Sequence, residues 1–376
     1  MRPHPALRGR PGHRGAARGG RRRAARVTTV AGDDVEVRSS PSFDAGPVPA
    51  VSVVIATYGR SGYLAELFAR LADQDLAPEA FEVVVVDNGS TDDTWPVLSD
   101  LVATSPLRTR AVRLPVNRGP AGGRNAGAAH ARAPVLAVTD DDCLPTPAWL
   151  PGIVAAFEDA EVVVAQGRVE PDPATRDAAG PWDHTIWVVE ATPLFETCNV
   201  AYRRERFVAV GGFDEHDPLL RPGSGRAFGE DAVLGHELQR DGGTAAYVAD
   251  AVVHHRCVPS SWRARMRDVR HAAGFPGLAR RSPLVARWLR LRLFLSGDSA
   301  AFDLLLVGLA AAVARRRAWP LVAALPWVWF RGHRALRQAH GDPVRAAVVL
   351  AGYLGVDATI LASLLRGSLR HRRLVL

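Results

Sequence analysis

The feature that most constrains this chain is the stretch 135–145, V-L-A-V-T-D-D-D-C-L-P, where an uncharged, β-prone run stops in three consecutive carboxylates. Val135 to Val138 read as a strand buried on both faces, which puts Asp140, Asp141 and Asp142 at its carboxyl end. Open α/β sheets bind their ligands at that edge. Adjacent anions repel one another, so grouping three calls for a compensating cation, either a divalent metal or clustered arginines. A solvated acidic turn is the competing account of a bare D-D-D.

The upstream sequence repeats the pattern. Val51 to Ala56 reads as a buried strand, Thr57-Tyr58-Gly59-Arg60 as the turn leaving it, and Ser61 as the N-cap of a helix to about Leu71. A second strand, Phe81 to Val86, ends at Asp87, with Asn88-Gly89 turning the chain and Thr91 or Asp92 capping the next helix. A third strand near Thr109 to Leu114 leads to N-R-G-P-A-G-G-R-N-A-G at 117–127, small residues that let a helix amino terminus approach a neighbour or a phosphate. Alternating strand and helix predict an α/β fold with a mainly parallel sheet flanked by helices. Three strand ends, at Thr57, Asp87 and Asp140 to Asp142, then carry polar residues. No G-x-G-x-x-G follows the first strand, which argues against a dinucleotide fold, and no P-loop sequence occurs, which excludes that framework.

Charge is distributed unevenly, and every basic residue other than histidine is arginine. Residues 1–26 hold nine arginines and no acid, residues 256–376 hold 21 arginines against five acids, and the stretch between holds 17 against 34. Basic ends call for an anionic partner, either lipid or nucleic acid. The acidic centre repels a phosphate backbone, and the C-terminal arginines surround apolar helices rather than interleaving with aromatics, so a nucleic-acid partner is not expected. Residues 1–48 read as a disordered, Arg-rich tail without the apolar run of a secretory signal. Cys143, Cys198 and Cys257 are odd in number and scattered, as in a reduced, cytosolic compartment.

After an α/β domain at 49–258, residues 259–376 read as a basic, apolar helical region. Leu304 to Ala314 and Trp319 to Phe330 are too short to span a bilayer, and Ala346 to Leu365 is long enough but contains Asp357. Apolar helices flanked by arginine clusters predict peripheral attachment to the inner face of the cell membrane.

The ordered series V-S-V-V-I-A-T-Y-G-R, V-V-V-D-N-G-S-T-D, N-R-G-P-A-G-G-R-N-A-G, T-D-D-D-C-L-P, C-N-V-A-Y-R-R, G-G-F-D-E and G-E-D-A-V-L-G resembles family 2 of the inverting glycosyltransferases, with the GT-A fold, over about residues 50–256. The resemblance implies transfer of one sugar from a nucleotide-diphosphate sugar to an acceptor hydroxyl, for which a lipid-linked glycan or cell-envelope precursor is a candidate. It implies a divalent metal, Mg2+ or Mn2+, on Asp142, with Asp140 and Asp141 contacting ribose or the metal's waters. Asp87 and its neighbour Asn88 would hold base or ribose, with Thr57, Tyr58 and Arg60 lining the same pocket. Arg124 would meet phosphate or the acids; an ion pair locking helix to strand suits its fork equally.

Glu230-Asp231 opens a helix carrying Leu234 and Leu238, and acids at a helix start are ordinarily favoured by its dipole. The resemblance makes Asp231 the catalytic base, with Glu230 as substitute. From the His254-His255 pair it implies one metal ligand, assigned to His255, a packed core histidine being the alternative. Trp182 and Trp187 lie in an irregular stretch where aromatics stack on a sugar face or anchor loops. Gly59 and Asn88 depart from the family's usual Asn and acid, both in the nucleotide pocket, and the Q-x-x-R-W element of processive synthases is absent. A nucleotide-sugar binding protein without turnover is the alternative reading.

Overall fold

The computed structural model describes residues 35–216 and 228–376, so most of the Arg-rich N-terminal segment lies outside the described residues. The chain forms two compact units: 1–173, 186–216 and 230–256 make the first, and 174–185, 217–229 and 257–376 the second.

The first unit is built on a nine-stranded sheet: β1 (Glu36–Ser39), β2 (Val51–Thr57), β3 (Phe81–Asp87), β4 (Thr109–Arg113), β5 (Val135–Asp140), β6 (Cys143–Pro145), β7 (Val162–Pro171), β8 (Asn199–Arg203) and β9 (Thr244–His255). Their spatial order is β1-β4-β3-β2-β5-β8-β7-β9-β6. The four strands β4-β3-β2-β5 are parallel, as the alternation predicts, whereas β8 runs antiparallel to both β5 and β7. β1 falls in the stretch expected to be disordered; it adds antiparallel to β4, pairing Glu36 with Arg113.

Period-2 alternation along β2 sorts the core. Val51, Val53 and Ile55 pack with Leu64, Leu67, Trp95 and Leu98 from α1 (Ser61–Ala72) and α2 (Thr94–Thr104). Val54 faces the other way, toward Ala126 and Ala128 of α3 (Gly119–His130). A Cβ on Gly127 would lie 2.6 Å from Val54 Cγ1, so this helix packs at its distance only with glycine there. The remaining helices used below are α4 (Trp149–Ala156), α5 (Arg204–Val210) and α6 (Glu230–Leu238). Ser61 is the first helical residue rather than a cap, and Arg60 holds the cap position without a side-chain bond. The cap position of α2 falls on Asp93 rather than on Thr91 or Asp92, without a side-chain bond from it, and Asp92 Oδ1 accepts the Thr94 amide at 3.1 Å.

In the second unit the longest helices are α7 (Gly297–Arg315), α8 (Leu325–Gln338) and α9 (Pro343–His371). A capping box between Ser296 and Ser299 starts α7 well before the apolar run that begins at Leu304. Its 19 residues and the 29 of α9 are long and apolar enough to cross a membrane by length and composition, which corrects the expectation that the first apolar stretch is too short. Asp357 of α9 is buried, where Trp327 Nε1 donates to its Oδ2 at 2.8 Å and Arg331 forks onto both oxygens.

Candidate active site

The register across the parallel strands brings the polar strand ends together. Thr57 pairs with Asp87 and Ala56 with Asp140, so three strands end in one row. Asp141 and Asp142 occupy the turn between β5 and β6 and are almost fully buried. Thr57 Oγ1 donates to Asp141 Oδ2 at 2.7 Å. Arg60 Nη1 donates to Asp141 Oδ1 at 2.6 Å and to Asp142 Oδ2 at 2.8 Å. Burial pushes the Asp141 carboxyl up to about 6, and the Arg60 charge pulls against that rise without cancelling it.

Arg124, buried on α3, reaches the first acid of the row, its Nη2 lying 2.5 Å from Asp140 Oδ1. Burial opposes the Arg124 charge, but the opposite charges of Asp140, Glu230 and Asp231 outweigh it and raise its pKa. One guanidinium therefore stands in the field of both the strand-end acids and the acids that open α6. Asp231 Oδ1 accepts the Ala232 amide at 2.8 Å. Burial pushes the Asp231 carboxyl well above the ordinary aspartate range, and the neighbouring Glu230 charge adds to it.

β6 pairs with β9 so that Cys143 stands opposite His255. His255 Nδ1 lies 2.8 Å from the Arg256 carbonyl and can only donate to it, which leaves Nε2 unprotonated in the neutral ring and 3.7 Å from Asp142 Oδ1. Donor atoms of Asp142, Cys143 and His255 all lie within 4.8 Å of one another. Carboxylate oxygen and neutral imidazole suit a divalent cation, so this donor set fits a metal. Burial pushes the Cys143 thiol well up, which keeps it protonated and a poorer ligand than the other two.

Asp87 is fully buried; its Oδ1 accepts the Ser90 amide at 2.9 Å, and Oδ2 has no hydrogen-bond donor among the described residues, Arg113 Nε standing 3.6 Å away. Asn88 directs its amide inward, donating to the Gly119 carbonyl at 2.9 Å and accepting the Arg118 amide at 3.0 Å, so it clamps the end of β3 to the start of α3. Tyr58 is exposed at 49%. Trp182 belongs to the second unit, edge-on to Tyr353 with ring centroids 5.6 Å apart, while Trp187 is an exposed side chain of the first.

Two further participants escaped the sequence reading. Glu196 is a half-buried carboxylate whose pKa desolvation raises, bonded by Thr192 and Gln166, and its charge acts on Asp231. Asn125 exchanges hydrogen bonds with the Phe213 backbone at 2.8 and 2.9 Å and donates to Glu215 at 2.9 Å, tying G-G-F-D-E to α3. Both lie beside quoted motifs, but only the long-range contacts give them a role.

The fold is that of solved glycosyltransferases of the GT-A type. Residues 52–213 match the model of the Glycosyl transferase family 2. A validoxylamine A glucosyltransferase of Streptomyces hygroscopicus subsp. limoneus is 34% identical over 230 residues, 52% of this chain and 49% of that protein. A glucosyl-dolichyl phosphate glucuronosyltransferase of Haloferax volcanii is 26% identical over 227 residues, 55% of this chain and 69% of that protein. The chain spans about half the length of the first of these. Among solved structures, a mannosyltransferase from Pyrobaculum calidifontis in complex with GDP-Man and Mn2+ superposes with a TM-score of 0.54 at 21% identity, covering 86% of this chain and 90% of that one; at that identity the likeness carries the fold.

Proposed function

We propose that this chain is an inverting glycosyltransferase that moves a single sugar from a nucleotide-diphosphate donor to an acceptor hydroxyl by direct displacement. The observation that carries the reading is Arg124, bonded to Asp140 and held in the field of Glu230 and Asp231, because it joins a donor-side acid row to a candidate base. Asp87 Oδ2, buried with no hydrogen-bond donor among the described residues, suits a hydroxyl or N–H of the nucleoside. Thr57 and Arg60 hold the Asp141 and Asp142 carboxylates in fixed orientations. Asp142 Oδ1 and His255 Nε2 would hold Mg2+ or Mn2+, in line with the Mn2+ bound by the mannosyltransferase of like fold. When bound, such a cation neutralises charge that grows on the departing diphosphate.

Asp231 supplies the base. Its Oδ1 is engaged by the Ala232 amide, so Oδ2 is the atom that accepts the acceptor hydroxyl's proton as the new glycosidic bond forms and the bond to the diphosphate breaks. A carboxylate raised by burial is a stronger base than an exposed one, which suits proton abstraction from a hydroxyl. Attack from the face opposite the leaving group inverts the anomeric centre. Residues 49–258 would form the transferase domain and 259–376 a helical region that keeps the enzyme at the cytoplasmic membrane face, where a lipid-linked acceptor would be met.

Titration calorimetry tests the donor side. UDP and GDP, each with and without Mn2+, should bind the wild-type chain more tightly with the metal, and Asp142→Asn should remove that increment. Metal-enhanced binding that survives Asp142→Asn would contradict the assignment.

A further inference from the structure

The second unit carries an apolar surface that points the wrong way for a helical unit surrounded by water. Only 17% of the apolar window of α7 is buried, and Val307, Leu309 and Val313 are each more than half exposed. The surface continues through the turn after α7 to Trp319 and Val322, which are 59% exposed, and onto α8 with Leu325 at 60% and Trp329 at 69%. The inward stripe of α8 is Trp327, Arg331 and Ala335, so this helix turns a guanidinium inside and an indole out. The buried charge is answered there by Asp357 and Asp298. An amphipathic helix facing water shows the opposite arrangement.

Arg315, Arg316 and Arg317 sit at the junction of α7 and the turn, all exposed, with the Arg315 guanidinium 5.6 Å from the Trp319 ring centre. Arginine and tryptophan at one level beside an apolar face match the headgroup boundary of a bilayer. We infer that the α7–α8 hairpin is a docking surface that embeds in the outer layer of an anionic lipid leaflet.

Charge complementarity selects this occupant over a second copy, because residues 256–376 hold 21 arginines against five acids and two such faces repel. The hairpin lies in the interface rather than across the bilayer. Gly308 of α7 is closed on the turn, where a Cβ would meet the Pro320 carbonyl at 2.7 Å, and the last turns of α8 expose His333, Arg334 and Arg337. The apolar area is thus one face of a packed hairpin, as an interfacial element requires. The inference deepens the proposed membrane-face location, and it needs neither sugar donor nor metal, so it stands or falls apart from the transfer chemistry.

The test is sedimentation of the full chain with vesicles of phosphatidylcholine alone or of phosphatidylcholine with phosphatidylglycerol. Binding is expected to the anionic vesicles, at least about tenfold weaker to the neutral ones, and to fall with salt. Trp329→Ser with Phe330→Ser should cut partitioning about tenfold or more while leaving the thermal melting curve and UDP binding unchanged. Arg315→Gln combined with Arg316→Gln and Arg317→Gln should abolish the lipid preference. The inference is overturned by absence of pelleting with either vesicle, by equal binding to both that survives alkaline carbonate, or by a concentration-dependent dimer that the double serine variant dissolves.

Discussion

Arg60 Nη1 lies 2.8 Å from Asp142 Oδ2, so a guanidinium already neutralises the carboxylate to which a metal is assigned. Arg60 is 42% exposed in its side chain, and it bonds Asp141 from the same nitrogen. A cation approaching Asp142 therefore meets a positive charge that must give way. Arg60→Gln should raise the affinity for Mn2+ alone, about tenfold once solvent screening of a half-exposed charge is allowed for. Manganese titration followed by paramagnetic resonance checks this without any turnover; an unchanged or weaker affinity would contradict it.

The acid side of the pH profile tests the pair that opens α6. Burial, aided by the Glu230 charge, raises the Asp231 carboxyl, so a base at Asp231 must lose its proton above the ordinary aspartate range for transfer to proceed. The acid limb of kcat/KM should have its midpoint above that range, and Glu230→Gln, by removing the like charge, should move the limb to lower pH. A limb that does not move would mean that another group titrates.

His236 should set part of the acid stability of the first unit. Burial beside Phe195, whose ring lies edge-on at 5.7 Å, pushes its pKa down to about 4 from 6.5. The unfolded chain takes up this proton at about 6.5 and the folded chain only near 4, so the stability present above 6.5 falls as the pH drops through that window. The gap corresponds to about 3 kcal/mol at most. His236→Gln should flatten the fall in melting temperature between pH 6.5 and 4, and an identical slope would remove His236 from the account.

Arg108 anchors the approach to β4. Its buried guanidinium donates to the carbonyls of Ser42, Phe43, Ala45, Pro47 and Glu79 at 2.6 to 3.3 Å. Arg108→Ala strands these acceptors and should cost about 2–4 kcal/mol in urea unfolding, with Arg108→Lys recovering part of it.

The strand ends were readable to within two residues because buried β-prone runs give way to polar side chains; β2, β3 and β5 run on into Thr57, Asp87 and Asp140. The four parallel strands follow from the same alternation. What the sequence could not show lies in contacts far apart in the chain: Arg60 reaches Asp141 across 81 residues, and Asn125 reaches Phe213 across 88. β1 was hidden because its four exposed residues, E-V-R-S, gain stability only from pairing with β4. Trp182 read as a residue of the α/β domain because stretches of that domain lie on both sides of 174–185, yet its ring packs against Tyr353, 171 positions on by number, in the second unit.

The central claim is that Asp231 takes the acceptor's proton while the donor is held elsewhere, and Asp231→Asn addresses it most directly. Nucleotide-sugar affinity, measured by calorimetry with Mn2+ on the donor that best stabilises the wild-type chain, should stay within about threefold, while transfer falls by at least about a thousandfold. A variant that still transfers sugar near the wild-type rate, or that loses donor binding together with transfer, would contradict the account.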